Sequence, residues 1–418
     1  MHSQALHKWF ERKRSTALPG KDRAALRVGI PRVLNAWSTH QFWIGFLLAL
    51  GISEENVIFS SQTSEEQFRE YGKGRGSVDC CYPVKCMSGH YGELLFGLKN
   101  KINVLLSPMI YSLPSFLHGN VVDTLSCTRV MASPENIKAG FVKERDLFQE
   151  NNIVYASPFV SMGDSEDTVA GQMFRHLRDT FDLDWAETRQ AVKAGFAALW
   201  AFDQKMRQRT RSILQDCAHE ERGSILLLGR PYHVDTGIGH EIEGELQAYG
   251  YPILSWQHLP LDGDLLDWLF GEEVRAGKIR NPLDVSDVWP SSYSSNTNEI
   301  IWAAKFAARC PWIGCAIHLS SYECGMDQPI YTPVQKIIEA SRTLFFKFGD
   351  LDANKPSGSI RIRVETIVHY LMKYSQEILR FKLGALPQPT PTGFEGPKHP
   401  ELVKAHEINF TNANMGGR

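Results

Sequence analysis

Two stretches of the chain repeat one order of apolar and polar positions. Each begins with a short apolar run that ends in a turn containing Gly and Pro, at residues 27–32 and 225–231. A helix-spaced segment follows at residues 41–50 and 241–249, and then a glycine and a second apolar run at residues 57–60 and 252–255. This order is typical of a parallel sheet covered by helices on both faces. The pattern therefore predicts two α/β lobes.

Further apolar runs predict more strands, at residues 101–107, 312–319 and 343–348. Between the two repeats, helical spacing predicts one long helix over residues 185–217, and a late amphipathic helix is predicted over residues 360–381. The predicted fold is α/β, with two Rossmann-like lobes of parallel strands and a helical connection. Five parts are predicted along the chain. They are an N-terminal extension (residues 1–26), a first α/β lobe (27–160), the helical connection (161–222), a second α/β lobe ending in a helix (223–382) and a C-terminal tail (383–418).

Length and charge narrow the class of protein. A chain of 418 residues with 43% hydrophobic residues is expected to form two or three domains. The balance of 45 basic and 47 acidic residues leaves no basic surface for nucleic acid or anionic lipid. The charged N-terminus lacks the apolar stretch of a secretory signal, and the longest apolar run, residues 42–52, is too short to span a membrane. We therefore expect a cytoplasmic protein with reduced thiols.

Eight cysteines add candidate chemistry to this picture. They are Cys80, Cys81, Cys86, Cys127, Cys217, Cys310, Cys315 and Cys324. Most lie in turns marked by Gly or Pro, where backbone can wrap an inorganic core, so an iron–sulfur cluster is the first hypothesis. A zinc ribbon is disfavoured because the sequence has no Cys-x-x-Cys motif.

The distinctive turns all lie next to predicted strands or helices. Gly229-Arg230 follows a strand, Cys324-Gly325 follows another, and Cys81 precedes a helix predicted to begin near Ser88. Ligands of open parallel sheets bind at the carboxyl ends of the strands. We therefore expect the cysteines to meet in one crevice between the lobes, with a helix N-terminus favouring the thiolate of Cys81.

Several other polar residues are candidates for this crevice. His233 either faces a ligand or caps the next helix together with Asp235, and His90 either transfers protons or only hydrogen-bonds the protein. Lys85 and Arg230 either neutralise a cluster or a CoA phosphate or pair with carboxylates. Spacing alone does not separate these roles. Neither a P-loop nor a complete dinucleotide fingerprint is present, so any ATP-driven step belongs to another protein.

Four motifs together resemble a known family. They are Gly29-Ile-Pro-Arg32, Cys81-Tyr-Pro-Val-Lys85 with Gly89-His90, Leu228-Gly-Arg-Pro-Tyr-His233-Val-Asp235, and Cys324-Gly-Met-Asp327. In this order they resemble the family related to 2-hydroxyacyl-CoA dehydratases, over roughly residues 27–372. The nearest branch occurs as a separate chain or fused behind an ATP-dependent activase.

The resemblance implies a cofactor, partners and site residues. It implies a 4Fe-4S cluster between the lobes, bound by Cys81, Cys127 and Cys324, with one iron open to substrate. It implies an ATP-dependent 4Fe-4S activase as electron donor, a small-molecule or acyl-CoA substrate, and a homodimer. The implied function is a low-potential reductase or dehydratase component, with His233, His90 and Lys85 as candidates for proton delivery or anion binding and Arg230 and Gly325 beside the cofactor.

The sequence also departs from this family pattern. Cys80 and Cys86 are additional, so either supplies a fourth ligand, or they complete a double cubane (8Fe-9S) together with Cys310 or Cys315. Cys324-Gly-Met-Asp also replaces the more usual Gly-Pro-Asp after the cysteine. A closed four-cysteine or double-cubane site favours the alternative function, a non-catalytic iron–sulfur carrier or regulatory partner of an activase system. A third hypothesis is an α/β ligand-binding protein without metal.

Overall fold

A computed structural model describes residues 23–76, 80–98, 101–352 and 357–395 of the chain. The predictions for residues 1–22 and 396–418, which belong to the N-terminal extension and the C-terminal tail, lie outside this part. The fold is mixed α/β with parallel sheets, so the predicted fold class is confirmed at this level. The boundaries of the five predicted parts stay predictions.

The strands in the described part are β1 (Val28–Ile30), β2 (Val57–Phe59), β3 (Val104–Leu106), β4 (Met109–Ser112), β5 (Val154–Ala156), β6 (Phe159–Ser161), β7 (Ser224–Leu228), β8 (Ile253–Ser255), β9 (Ile313–Ser321) and β10 (Leu344–Leu351). The helices there are α1 (Ala36–Ala49), α2 (Glu65–Gln67), α3 (Tyr82–Gly92), α4 (Thr128–Val142), α5 (Leu147–Glu150), α6 (Glu166–Phe181), α7 (Trp185–His219), α8 (Thr236–Gly239), α9 (Ile242–Ala248), α10 (Gly263–Arg275), α11 (Ser295–Arg309), α12 (Tyr331–Glu339) and α13 (Ser357–Gly384). Short 3₁₀ turns lie at Arg23–Ala25, Glu54–Asn56, Pro231–Val234, Trp256–His258 and Gln328–Ile330.

The two large sheets have the same strand order. The first sheet runs β2-β1-β3-β5 and the second runs β8-β7-β9-β10, with every pair parallel. In each, the first strand along the chain lies between the second and the third. The strand order therefore reverses between the first and third strands of each sheet. Open α/β sheets bind ligands at such a reversal. Strands β4 and β6 form a separate two-stranded parallel sheet.

The central strands of the second sheet are buried on both faces. All residues of β7 and all of β9 are buried. Leu226 and Leu228 pack into the core under α10 and α11, whereas Ile225 and Leu227 pack into the core under α9 and α13. Alternate residues of a strand point to opposite faces, so a strand covered on both sides needs apolar residues at successive positions. This explains the continuous apolar runs in the sequence.

One long helix, α7, connects the two sheets along the chain. It begins where the Asp184 carboxylate accepts a hydrogen bond from the backbone N–H of Glu187 at 2.8 Å, and it ends at His219. The predicted helix over residues 185–217 is thus present, as is the late helix, which forms α13. Of the helices in the described ranges, none is long and apolar enough to cross a membrane.

The predicted start of the helix near Ser88 is wrong. Helix α3 begins at Tyr82, directly after Cys81, and it contains Pro83 in its first turn. Pro is well tolerated there because the first N–H groups of a helix have no partner inside the helix. Cys81 is therefore the N-cap itself, and Cys86 and His90 both lie within the helix.

Candidate functional site

The candidate site lies at the carboxyl ends of β7 and β9, where the second sheet changes direction. Arg230 follows β7 after one glycine, and Cys324 follows β9 in a turn. In this turn Glu323 has a left-handed backbone conformation, with φ of 67°. A left-handed residue other than Gly, Asn or Asp is uncommon and marks a constrained turn.

Gly229 fixes the path of the chain between β7 and Arg230. Its φ is +156°, and a Cβ atom at this position would lie 2.7 Å from the carbonyl oxygen of Leu319 on β9. Only glycine avoids this contact, so it allows the turn after β7 to pass directly over the end of β9. The Arg230 and Cys324 segments are thereby brought together.

Arg230 and Asp327 form a buried ion pair at the centre of the site. The Arg230 Nε and Nη2 atoms both donate to Asp327 Oδ1, at 2.9 and 2.6 Å, and Nη2 also donates to Thr297 Oγ1 at 3.1 Å. Burial is the largest single influence on Asp327 and opposes its ionisation. The Arg230 charge, together with His318, the Ser320 hydrogen bond and His233, outweighs it and lowers the pKa of this carboxyl to about 2. The third nitrogen, Arg230 Nη1, is buried and has no hydrogen-bond partner among the described residues. This leaves one cationic donor without an acceptor.

Two more cysteines stand at helix N-termini. Cys81 is the N-cap of α3 and Cys127 is the N-cap of α4, and neither side chain makes a capping hydrogen bond. The first turns of both helices also lack acidic residues. Each helix therefore presents its positive dipole end and free backbone N–H groups beside a thiol.

The pKa of Tyr232 is influenced by all three turn cysteines. Burial raises the pKa of Tyr232 well above its usual value, and negative charge at Cys324, Cys81 and Cys127 raises it further. Tyr232 also packs in the apolar cluster that contains Cys81 and touches Cys127. The three cysteines predicted to be metal ligands therefore lie within electrostatic reach of one side chain.

The remaining cysteines divide into neighbours and core residues. Cys80 and Cys86 are buried in the same apolar cluster as Cys81, and burial raises the pKa of the Cys86 thiol far above its usual range. Cys217 and Cys310 lie in the core under α10 and α11, and Cys315 lies in the core under α9 and α13. The structure thus brings Cys80 and Cys86 close to the site but places Cys310 and Cys315 in the cores of the second sheet.

His233 is held by hydrogen bonds on both ring nitrogens. The backbone N–H of Arg230 donates to its Nδ1 at 2.9 Å, and Nε2 faces Ser321 Oγ at 3.2 Å. Burial lowers the pKa of His233 to about 4, so the ring is neutral and carries its proton on Nε2. In this structure His233 holds the Arg230 turn against β9, and its role in proton delivery stays a prediction.

His90 belongs to a buried polar chain that links the two halves. Its Nδ1 lies 2.8 Å from Ser60 Oγ and its Nε2 lies 2.9 Å from Thr63 Oγ1, which in turn donates to Asp235 Oδ2 at 3.0 Å. Burial lowers the pKa of His90 to about 3. This chain of hydrogen bonds therefore runs from the first half of the protein through Thr63 to the turn after Arg230.

Lys85 and Gly325 occupy different surroundings. Lys85 lies within the first two turns of α3 and is partly buried. A Cβ atom built on Gly325 meets no atom within 4 Å, so open space adjoins the turn at Cys324. The position of Gly325 beside a cofactor stays a prediction.

Sequence reasoning missed His318, which lies on β9 beside the ion pair. It is fully buried, its ring packs edge-on against Tyr331 at 5.1 Å, and neither ring nitrogen has a hydrogen-bond partner among the described residues. Burial lowers the pKa of His318 to about 4. The one signal in the sequence was a histidine inside an otherwise apolar strand.

The fold and the site define an α/β protein with two four-stranded parallel sheets and a cysteine-lined site beside a buried arginine. Residues 27–259 match the family described as the CoA enzyme activase uncharacterised domain (DUF2229). Because the match spans more than half of the chain, the protein belongs to the family of this CoA enzyme activase domain.

Two solved structures share low sequence identity with this chain. No curated protein matches the sequence. A structure described as a sugar binding protein from Salmonella typhimurium is 10% identical, with 92% of this chain and 97% of that chain covered and a TM-score of 0.20. The C-terminal domain of glucosamine-fructose-6-phosphate aminotransferase from Francisella tularensis is 13% identical, with 93% and 89% covered and a TM-score of 0.19.

The family match corrects the predicted function. The sequence predicts a reductase or dehydratase component that accepts electrons from an activase, or a cluster carrier or regulatory partner of an activase system. This prediction is wrong, because the matching family is that of the activase domain, not of the dehydratase component. In addition, the described residues contain no group of three or more His, Cys, Asp or Glu side chains placed to hold a metal ion.

Proposed function

We propose that this chain is the cofactor-binding part of a CoA enzyme activase. The proposed cofactor is an iron–sulfur cluster, bound through the thiolates of Cys81, Cys127 and Cys324 between the two sheets. One observation carries the proposal: Cys81 and Cys127 pack in the apolar cluster that contains Tyr232, and the Arg230–Asp327 ion pair joins the turn of Cys324 to the segment that carries Tyr232. In a cubane cluster each iron takes its own thiolate, so the ligands are spread around the cluster instead of meeting at one metal ion.

The charges around the three cysteines fit a negatively charged group. Two helices, α3 and α4, begin at Cys81 and Cys127 without a capping side chain, and a helix N-terminus favours anions. Arg230 adds a buried guanidinium whose Nη1 has no acceptor within the described part of the chain. A cluster with thiolate ligands would give these donors an acceptor.

An iron–sulfur cluster supplies one-electron chemistry when it is bound. The protein residues would hold the cluster and set its surroundings. Asp327 keeps Arg230 charged and oriented, and His233 fixes the turn that carries Arg230. Cys81 is buried and Cys324 is partly buried, and burial raises the pKa of both thiols. They would lose their protons on binding iron, and a reducing compartment such as the cytoplasm would keep them available.

The other activase functions would come from elsewhere. The chain lacks a nucleotide-binding motif, so we place ATP hydrolysis on a separate chain or domain of the activase. The proposed partner is therefore this ATP-hydrolysing part, and an acyl-CoA enzyme would be the target of the complete activase.

Iron counting after single substitutions tests the proposal. The protein is purified without oxygen, reconstituted with iron and sulfide, and measured for iron content and for the visible absorption of a bound cluster. Cys81→Ala, Cys127→Ala and Cys324→Ala should each lose most of the iron. The matched control is Cys217→Ala, which removes a buried thiol from a different core.

Circular dichroism of each variant shows whether it folds, so that iron loss through unfolding is recognised. An iron-free wild-type protein after reconstitution would contradict the proposal. Equal iron loss in Cys217→Ala and Cys127→Ala, with both variants folded, would contradict the assignment of the ligands.

A further inference from the structure

A second cleft lies apart from the cysteines, between the start of α1, the middle of α7 and the start of α11. It encloses about 710 Å³, including space open to solvent, and no cysteine lines it. Five aromatic side chains line it: Trp37, Phe116, Trp200, Phe202 and Trp256. Aromatic walls of this kind favour flat ligands, because planar rings stack on them with little loss of side-chain entropy.

Arg207, the cationic side chain in this cleft, is already engaged by the protein. Its Nε donates to Asp203 Oδ2 at 2.7 Å and its Nη1 donates to the carbonyl oxygen of Leu259 at 2.6 Å, while the guanidinium lies 4.8 Å from the ring centre of Phe116. The arginine is therefore poorly placed to bind an anionic ligand.

The hydrogen-bonding groups of the cleft include both acceptors and donors. Asp203 Oδ1 lies 3.2 Å from His258 Nδ1, which orients that ring. The indole N–H of Trp37 is buried and lacks an acceptor among the described residues. A ligand that hydrogen-bonds to this side of the cleft needs an acceptor atom for the indole N–H.

A buried carboxyl group, Glu299, forms the other polar wall. Its Oε1 accepts from Ser115 Oγ at 2.5 Å, and Asn296 Nδ2 approaches Oε2 at 3.5 Å. Burial raises the pKa of this carboxyl to about 7. A carboxyl group in such surroundings is well suited to accept hydrogen bonds from ligand N–H groups.

We infer that this cleft binds an uncharged planar heterocycle of the nucleobase type, stacked on the aromatic wall and hydrogen-bonded through both donor and acceptor atoms. A nucleobase edge carries both kinds of atom within one flat ring, which matches the indole donor and the carboxyl acceptor. Planar anions such as benzoate fit poorly, because they would face Glu299 and Asp203 without a free cation. The ligand is either a free nucleoside or the adenine end of CoA.

Isothermal titration calorimetry of the full chain tests this inference with adenosine, CoA and benzoate as probes. Adenosine should bind and benzoate should not. Trp200→Ala should weaken adenosine binding about tenfold, because base stacking on one aromatic ring is worth that much. Glu299→Gln should weaken it about fivefold at pH 8, because an ionised acceptor is replaced by a neutral one.

The matched control is Tyr370→Ala on α13, which removes a similarly exposed ring outside the cleft and should leave adenosine binding within about twofold. If CoA binds and responds to Trp200→Ala as adenosine does, the ligand is the adenine end of CoA. If adenosine alone binds, the ligand is a free nucleoside. Absence of adenosine binding, benzoate binding of equal strength, or an equal effect of Tyr370→Ala would each overturn the inference.

Discussion

Arg230 and Asp327 make an ion pair that water does not reach, with side chains 1% and 0% exposed and 2.6 Å between Nη2 and Oδ1. Removing one charge from such a pair leaves the other buried and unpaired, at a cost of about 3–5 kcal/mol in unfolding free energy. Arg230→Met and Asp327→Leu should therefore each be strongly destabilising in urea denaturation. The double variant should lose much less than the sum of the two, because no charge remains unpaired.

An exposed pair on α13 provides the control for this cycle. Arg361 and Glu365 lie one helical turn apart, with side chains 70% and 50% exposed. The corresponding single changes there should alter stability by less than about 0.5 kcal/mol. Additive losses in the Arg230 and Asp327 double variant would mean that the two charges are not coupled as the structure indicates.

Local pattern was sufficient to predict the elements but not this pairing. The strands β7 and β9 are buried at every position and mostly apolar, so a short window of sequence is enough to predict each strand. Arg230 and Asp327 are 97 positions apart, and nothing in either segment identifies the partner. Their contact follows from β7 and β9 being neighbours in the sheet, which depends on the whole topology.

The residues of the candidate site likewise divide into those that local sequence pattern identifies and those that it does not. Cys81, Cys127 and Cys324 were separable from core cysteines because each lies in a turn beside Pro, Thr or Gly. Glu299 was not recognised, because it precedes an apolar helical run and resembles any helix residue in sequence. Its burial arises from contacts with Ser115, 184 positions away, which no local pattern contains.

Two glycines should respond in opposite directions to alanine. Gly229→Ala should destabilise the protein by about 1–3 kcal/mol, because its Cβ atom would lie 2.7 Å from the Leu319 carbonyl oxygen in a backbone region that alanine avoids. Gly171→Ala, within α6, should stabilise by about 0.5–1 kcal/mol, because its Cβ atom meets no atom within 4 Å and alanine favours helix. Thermal unfolding compares the two; a change of the same sign in both would contradict the geometry at Gly229.

Lys382 should matter for stability although it lies far along α13. Its Nζ is buried and donates to the backbone carbonyl oxygens of Ala307, Cys310 and Ile313, at 2.7, 3.1 and 2.7 Å. Lys382→Met leaves these three acceptors without their donor, so we expect a loss of about 3 kcal/mol or more in unfolding free energy. Lys373→Met, an exposed position on the same helix, should be nearly neutral. Equal small effects in urea denaturation would show that the three carbonyl groups find water instead.

Glu299 predicts a specific dependence of stability on pH. Its folded pKa is about 7, against an ordinary value of 4.5, because burial disfavours the carboxylate. The hydrogen bonds from Ser115 and Asn296 and the Arg207 charge only partly offset this. Between these two values the folded state holds a proton that the unfolded state has lost. Stability from this group is therefore complete below about pH 4.5, falls as the pH rises, and is lost above about pH 7, by about 3 kcal/mol at most.

Glu299→Gln removes this titration while keeping the shape of the side chain. The variant should match wild type near pH 4.5 and be more stable than wild type at pH 8, as measured by urea denaturation at both pH values. Glu365→Gln, an exposed carboxylate on α13, serves as the control and should show no such crossover. A stability difference that is independent of pH would mean that Glu299 is solvated in the folded protein, and it would also remove the buried acceptor from the aromatic cleft.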